Sequence, residues 1–240
     1  MMQDKVIIVI PTYNNVQTIK DVVEDVLSYN QSVIVVDDGS DKIVENLFTK
    51  EEQKNIYFVR HTENKGKGKA IISGAQKAKE LGYSYILSMD GDGQHLASQA
   101  HLLIDVCSND TIIIGARNFD LDNVPLGSRF GRWFSNIWAK LNTGKMITDS
   151  LSGYRIYPIS ILELPIQTEK FDWEMEVLIR HAQSGKNIKE IEIDCYYPLP
   201  EERVSHFRNF EDTMSIVWVH LQVLFHRFLN KIQQIFFIKQ

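Results

Sequence analysis

Apolar residues fall into short runs separated by longer amphipathic stretches through the first 115 residues. Val6 to Ile10, Val33 to Val36, Ile56 to Val59, Tyr85 to Met89 and Thr111 to Ile114 are compact apolar blocks bounded by polar or turn residues, the pattern of strands buried on both faces. Between them, Val16, Ile19, Val23, Val26 and Leu27 recur at helical spacing, as do Ala70, Ile71, Gly74, Ala75, Ala78 and Leu81 ahead of a C-terminal Gly82. Strand and helix in alternation predict an α/β fold, a mostly parallel sheet covered by helices on both faces. Ligands of such sheets bind beyond the carboxyl ends of the strands. That rule directs attention to residues 11–14, 37–40, 60–68, 90–95 and 115–117.

The pattern changes after residue 118. Ser128 to Asn142 reads as an amphipathic helix with Arg129, Arg132 and Lys140 outside its aromatic stripe, and Glu174 to Gln183 as another. Residues 196–210, with Pro198 and Pro200, read as irregular. Residues 213–238 make one long helix or two joined near Asn230. No linker composition separates these parts, so the expectation is one domain over 1–210 and a helical extension over 211–240.

Composition narrows the class. The 240 residues are 44% hydrophobic and 24% charged, values of a soluble globular protein. Twenty-six basic against 31 acidic residues leave a formal charge of -5, which argues against a general nucleic-acid binder. Cys107 and Cys195 form neither a CxxC pair nor a disulfide framework and read as buried apolar thiols in a reducing compartment. The first apolar run is too short for a signal-peptide core, and no run of 18 apolar residues predicts a spanning helix. The expected location is cytoplasmic.

Three loops carry chemistry. Asp90-Gly91-Asp92-Gly93-Gln94-His95 follows a predicted buried strand; two carboxylates two residues apart can face one hard cation, and the glycines allow close backbone approach to a phosphate. The spacing does not make an EF-hand, because His95 and His101 stand where Gly and Glu are required. Gly93 stands where a haloacid-dehalogenase motif has Thr or Val, and a plain polar turn remains the bland alternative. Asp37-Asp38-Gly39-Ser40 repeats the arrangement of strand then acid. Its adjacent carboxylates repel unless donors engage them, and Asp38 or Ser40 can also cap a helix from Lys42. Asn64 to Ala70 places two glycines and three lysines at a helix start, which favours an anion without matching a P-loop; a solvated basic turn is the alternative.

In this order the segments resemble the family-2 glycosyltransferases of the GT-A fold, especially the dolichol-phosphate mannose synthase-like branch. The matching residues are Pro11-Thr12-Tyr13-Asn14, Asp37-Asp38-Gly39-Ser40, Asn64-x-Gly66-Lys67-Gly68-x-Ala70, Asp90 to His95, Gly115-Ala116-Arg117, Asp149-x-x-Ser152-Gly153-Tyr154-Arg155, and Phe171-x-x-Glu174-x-Glu176 with Arg180. The resemblance spans roughly residues 5 to 195, and the chain departs from the branch after Cys195.

The resemblance implies a UDP- or GDP-linked sugar lying across the strand ends. Pro11 and Tyr13 would flank the base, Asp38 would accept from base or ribose, and Lys67 and Gly91 would lie near the nucleotide. Asp90, Asp92 and Gln94 would gather Mg²⁺ or Mn²⁺ against the diphosphate, with Arg117 adding a cation there or reaching an acceptor phosphate. The family inverts the anomeric centre in one displacement. A phosphate acceptor attacks unaided, whereas a hydroxyl needs a base; Asp149 is the first candidate and Glu176 the second, unless Asp149 holds a loop and Glu176 pairs with Arg155 or Arg180. Arg129, Arg132, Ser152 and Arg155 are candidates at a lipid-linked acceptor, either polyprenyl phosphate or a hydroxylated acyl lipid. The alternatives are a sugar-phosphate nucleotidyltransferase, which usually carries a Gly- and Arg-rich loop where this chain has Pro11 to Asn14, and a non-catalytic nucleotide-sugar binder.

Location bears on the tail. Residues 213–238 present a broad apolar face interrupted by basic groups, suited to a membrane interface, to the domain surface or to a dimer. Residues 203–240 hold five basic and two acidic groups, +3, so residues 1–202 carry -8.

Overall fold

The computed structural model describes residues 5–29, 31–108, 110–118, 126–195 and 217–219, with side chains in 126–130 excepted. The expected tail helix and the irregular segment 196–210 therefore lie outside the described residues, apart from 217–219. Strands β1 (Val6–Thr12), β2 (Val33–Asp37), β3 (Ile56–Arg60), β4 (Tyr85–Ser88), β5 (Ile112–Arg117), β6 (Arg155–Pro158) and β7 (Ile188–Ile193) form one sheet in the order β3-β2-β1-β4-β6-β5-β7. All pairings are parallel except those of β6 with β4 and β5. The helices are α1 (Ile19–Ser28), α2 (Lys67–Glu80), α3 (Ala100–Ile104), α4 (Leu126–Thr143) and α5 (Trp173–Gln183).

Alternate residues of each strand feed opposite cores, as the two-residue side-chain period requires. Ile8, Ile10, Val33, Val35, Leu87 and Ile113 pack with α1 and α3, whereas Ile7, Val9, Ile34, Val36, Ile86 and Ile114 pack with α2, α5 and Ala139 of α4. The five expected strands and four expected helices are present, the ends shifted by a few residues. The structure adds β6 and β7. Both are at the far side of the sheet: β6 is a four-residue antiparallel insert, and β7 is a half-exposed edge strand.

Two expectations change. The stretch from Lys42 is a short 3₁₀ turn at Val44–Leu47, and its amide partner is Asp37, which accepts from Val44 N at 3.2 Å, rather than Asp38 or Ser40. Cys107 is buried, but Cys195 is only partly so, with its Sγ donating to Gln94 O at 3.3 Å.

Register assembles the site. Thr12 pairs with Asp37 and Asp37 with Arg60, so the carboxyl ends of β1, β2 and β3 finish level. Because β6 runs the other way, Arg155 lies opposite both Ser88 and Ile114, and the preceding residues Ser152 to Tyr154 arrive where β4 and β5 end.

Candidate active site

Asp90 sits just past β4, and its Oδ1 lies 2.7 Å from Lys67 Nζ at the first turn of α2. The same ammonium lies 3.2 Å from Glu174 Oε2 on α5. Gly66, at φ +97°, opens α2 in a conformation side chains resist, and Lys69 N donates to Glu169 O at 2.8 Å, which holds this helix start against the segment before α5. Gly153 passes so close that a Cβ there would stand 2.7 Å from Asp90 Oδ2 and 2.8 Å from Lys67 Nζ. Burial would lower the Lys67 pKa, but the Asp90 and Glu174 carboxylates raise it well above the ordinary lysine value.

The two aspartates of the loop differ. Burial raises the Asp90 carboxyl, yet the charges of Lys67, His95 and Arg117 outweigh it and hold its pKa at about 2. Burial and the neighbouring Asp90 charge push Asp92 up to about 6. A carboxylate raised by a second carboxylate beside it marks a place where two anions face one another, the setting a divalent cation relieves. Gln94 N donates to Asp92 Oδ1 at 3.0 Å and folds the loop back on itself. The set is all oxygen, two carboxylates and the Gln94 amide, which fits Mg²⁺ or Mn²⁺. No group of three or more His, Cys, Asp and Glu side chains placed to hold a metal occurs among the described residues. Further ligands to an ion here would have to come from the bound substrate or water. His95 is buried, stacked on Tyr154 at 5.0 Å, and burial lowers its pKa to about 4, so it is neutral at neutral pH.

The loop is fastened from β1. Gly91 O accepts from Asn15 Nδ2 at 2.6 Å and from Thr18 Oγ1 at 2.7 Å. Asn14, at φ +50°, exchanges hydrogen bonds with the neighbouring turn: its N–H donates to Ser40 Oγ and its Oδ1 accepts from Asp41 N, both at 2.9 Å. Pro11 and Tyr13, both half-buried, are thereby set beside Asp37 to Asp41.

Asp38 is committed to protein donors. Its carboxylate accepts from His61 Nδ1 at 2.5 Å, Lys65 N at 3.0 Å and Gly66 N at 2.8 Å, and His61 Nε2 lies 2.9 Å from Ser73 Oγ on α2. In this arrangement Asp38 holds the loop that delivers Lys67. Asp37 is likewise engaged, by the amides of Ser40 and Val44 and by Arg60.

A second cluster lies at the end of β5. Asp149, fully buried, accepts from Arg117 Nε at 2.7 Å, from Arg117 Nη2 at 3.0 Å and from the Arg117 amide at 3.1 Å. Glu190 of β7 holds the turn before it, accepting from Thr148 N at 2.8 Å and Asp149 N at 3.1 Å. Arg132 of α4 donates to Arg117 O at 3.3 Å. Arg117, Arg132, Asn118, Thr148 and Glu192 are among the residues lining a cleft of about 390 Å³.

Three expected site residues belong to the frame instead. Arg155 is fully buried and donates to the carbonyls of Ser152 at 2.6 Å, Ser150 at 2.7 Å and Glu174 at 2.9 Å, so its guanidinium is not presented to an acceptor. Ser152 is fully buried too, its Oγ accepting from Tyr154 N at 3.3 Å. Glu176 is 2% exposed and takes the amides of Gln167 and Thr168 and Arg180 Nε, the last at 2.5 Å. The Arg129 side chain lies outside the described residues.

The sequence pattern did not single out Asn15, Thr18, His61 or Glu190. Glu174 stands in the motif Phe171-x-x-Glu174-x-Glu176, but there the candidate role falls to Glu176.

Comparison with known proteins follows the same lines. The family model described as Glycosyl transferase family 2 matches residues 7–155. A UDP-N-acetylglucosamine--dolichyl-phosphate N-acetylglucosaminyltransferase of Methanococcus voltae is 31% identical over 220 residues, covering 82% of this chain and 88% of that protein. An undecaprenyl-phosphate mannosyltransferase of Micrococcus luteus is 27% identical, covering 79% of this chain and 82% of its own length. Glucosyl-3-phosphoglycerate synthase from Mycobacterium tuberculosis, solved with Mn²⁺, UDP and phosphoglyceric acid, superposes with a TM-score of 0.71 at 13% identity over 92% of this chain and 81% of that one. This likeness is one of fold.

Proposed function

Since the chain belongs to glycosyl transferase family 2, and is a glycosyltransferase of the GT-A fold, we propose that it moves a hexose from a nucleoside-diphosphate sugar to a polyprenyl phosphate. The observation that carries this reading is the meeting of Lys67, Asp90 and Asp92 at the carboxyl ends of parallel strands, one cation beside two carboxylates of opposed pKa shift. Asp90, Asp92 and Gln94 would hold Mg²⁺ or Mn²⁺, which when bound neutralises charge on the departing nucleoside diphosphate. Pro11 and Tyr13 flank the base of a UDP- or GDP-linked donor. Asp38, bound to the Lys65 and Gly66 amides, aims Lys67 at the diphosphate.

The acceptor phosphate enters the cleft of Arg117 and Arg132, where Asp149 fixes the Arg117 guanidinium. A phosphate oxygen attacks the anomeric carbon, the bond from that carbon to the diphosphate oxygen breaks, and the configuration inverts in one displacement. An anionic acceptor needs no base. A hydroxyl acceptor would need one, and both candidates are committed, Asp149 to Arg117 and Glu176 to Arg180 and two amides. That commitment favours the phosphate over the hydroxylated lipid. Relatives named for dolichyl and undecaprenyl phosphate support the same choice. No helix among the described residues is long and apolar enough to cross a membrane.

Titration calorimetry with UDP and GDP, in Mn²⁺ and in chelator, tests the site. Metal-dependent binding in the wild type that disappears in a folded Asp92→Ala protein is the expected result. Nucleotide binding indifferent to metal and to this substitution overturns the site.

A further inference from the structure

Asp38 and His61 form a pair that leaves the carboxylate very little to offer a ligand. A carboxylate has about four accepting positions, two on each oxygen. On Asp38, Oδ1 takes two donors, His61 Nδ1 at 2.5 Å and Lys65 N at 3.0 Å, and Oδ2 takes one, Gly66 N at 2.8 Å. A single position on Oδ2 remains. His61 Nδ1 faces an oxygen that can only accept, so it carries the hydrogen, while Nε2, 2.9 Å from Ser73 Oγ, ties the ring to α2.

The surroundings hold the pair in place. Asp38 N donates to Thr12 O and His61 N to Asp37 O, both at 2.9 Å, which fixes the two backbones at the strand ends. Asp38 is 3% and His61 8% exposed. The segment after β3 lies over the turn after β2 so tightly that a Cβ on Gly39 would stand 2.4 Å from Glu63 C. Neither side chain has room to turn away from the other.

We propose that His61 sets the base of the donor: by filling Oδ1 of Asp38 it leaves the carboxylate able to receive one N–H, and so selects uridine over guanosine. Uracil carries a single edge N–H, at N3, whereas guanine presents two side by side, at N1 and on its 2-amino group. Two parallel N–H groups need both carboxylate oxygens. With Oδ1 already filled, one guanine N–H would be buried without a partner, which weakens binding by about tenfold or more. The proposal rests on the nucleotide-sugar reading above and narrows it to a UDP-linked hexose. His61 touches no substrate and acts through Asp38, as a positioning residue.

The test is titration calorimetry of the full chain in Mn²⁺ with UDP, GDP and UDP methylated at N3, on the wild type and on His61→Asn and His61→Gln. An Asn amide reaches the place of Nδ1 and keeps the donor to Asp38, whereas a Gln amide reaches the place of Nε2 and keeps only the contact with Ser73. The wild type binds UDP about tenfold or more tightly than either GDP or the N3-methylated nucleotide. His61→Asn keeps that preference, and in His61→Gln the ratio of UDP to GDP affinity falls to within about threefold. A purely structural His61 would instead lower the melting temperature and weaken both nucleotides alike, with the ratio unchanged. That result overturns the proposal, as does a wild type that prefers GDP or binds N3-methylated UDP as well as UDP, and these wild-type arms decide even where a variant fails to fold. Binding of no nucleotide sinks the nucleotide-sugar reading and this proposal with it, while metal-dependent binding with the wrong preference leaves that reading standing.

Discussion

Glu174 and Glu176 are two residues apart on one helix and do opposite work. Two residues along an α-helix is a rotation of about 200°, so only one of them can face Lys67. Every residue from Trp173 to Ile179 is buried, so α5 has no polar face in its sequence from which the inward acid could be read. The Asp90-Gly91-Asp92 loop was legible because its acids follow a strand directly, whereas the identity of the partner acid depends on how α5 is rotated against α2. Glu174→Gln should lower kcat/KM by about 10- to 100-fold, the worth of one charge-assisted hydrogen bond to Lys67, with the melting temperature little changed. A loss confined to melting temperature, with kinetics intact, would remove Glu174 from the site. Arg155 makes the contrasting case, a cation satisfied wholly by backbone carbonyls. Arg155→Met should cost about 3 kcal/mol in denaturant unfolding, since it strands three buried acceptors, and unchanged stability would refute its role as a strut.

At the level of elements, β1, β2, β4 and β5 were readable because both faces are buried and each appears as an unbroken apolar run, and β3, although a partly exposed edge strand, shows the same apolar run from Ile56 to Val59. β6 was not, since its four residues begin on Arg155, the last residue of the Ser152 to Arg155 motif, and end at Pro158. β7 alternates Ile with Lys and Glu as a half-exposed edge strand does, a two-residue period that a search for apolar runs passes over. α4 was read correctly as amphipathic, but which face turns inward is settled by packing, and here the small polar face does. The segment before α5 is anchored by Glu176. Burial alone would raise that carboxyl, but the Gln167 and Thr168 amides and Arg180 more than reverse the effect and hold its pKa below the ordinary 4.5. A depressed pKa contributes stability that is present above the unfolded value and lost as pH falls through the folded one. Glu176→Gln should therefore cost about 2 kcal/mol at pH 7, with the gap to wild type closing on acidification below the usual carboxylate range. A gap constant with pH in melting experiments would contradict that account.

Across the whole molecule, the charge total conceals a division. The carboxyl ends of the strands gather Asp37, Asp38, Asp90 and Asp92, while residues 126–148 and the tail are basic. Sequence alone singled out Lys67, Asp90 and Asp92, the residues of the proposed donor half, because they lie in short loops after strands. The proposed acceptor half was read in part: Arg117, Arg132 and Asp149 are candidates in the sequence, whereas Glu190 reaches them only through the pairing of β7 with β5. The central claim is a transfer that needs both halves at once. The most direct measurement is the yield of radiolabelled polyprenyl-phosphate hexose from labelled UDP- and GDP-hexoses, with Mn²⁺ or Mg²⁺ and with chelator. The account predicts labelled lipid from one nucleotide class, only with metal, and none from Asp92→Ala. Failure of every donor to label the lipid, or labelling undiminished by chelator, would contradict it.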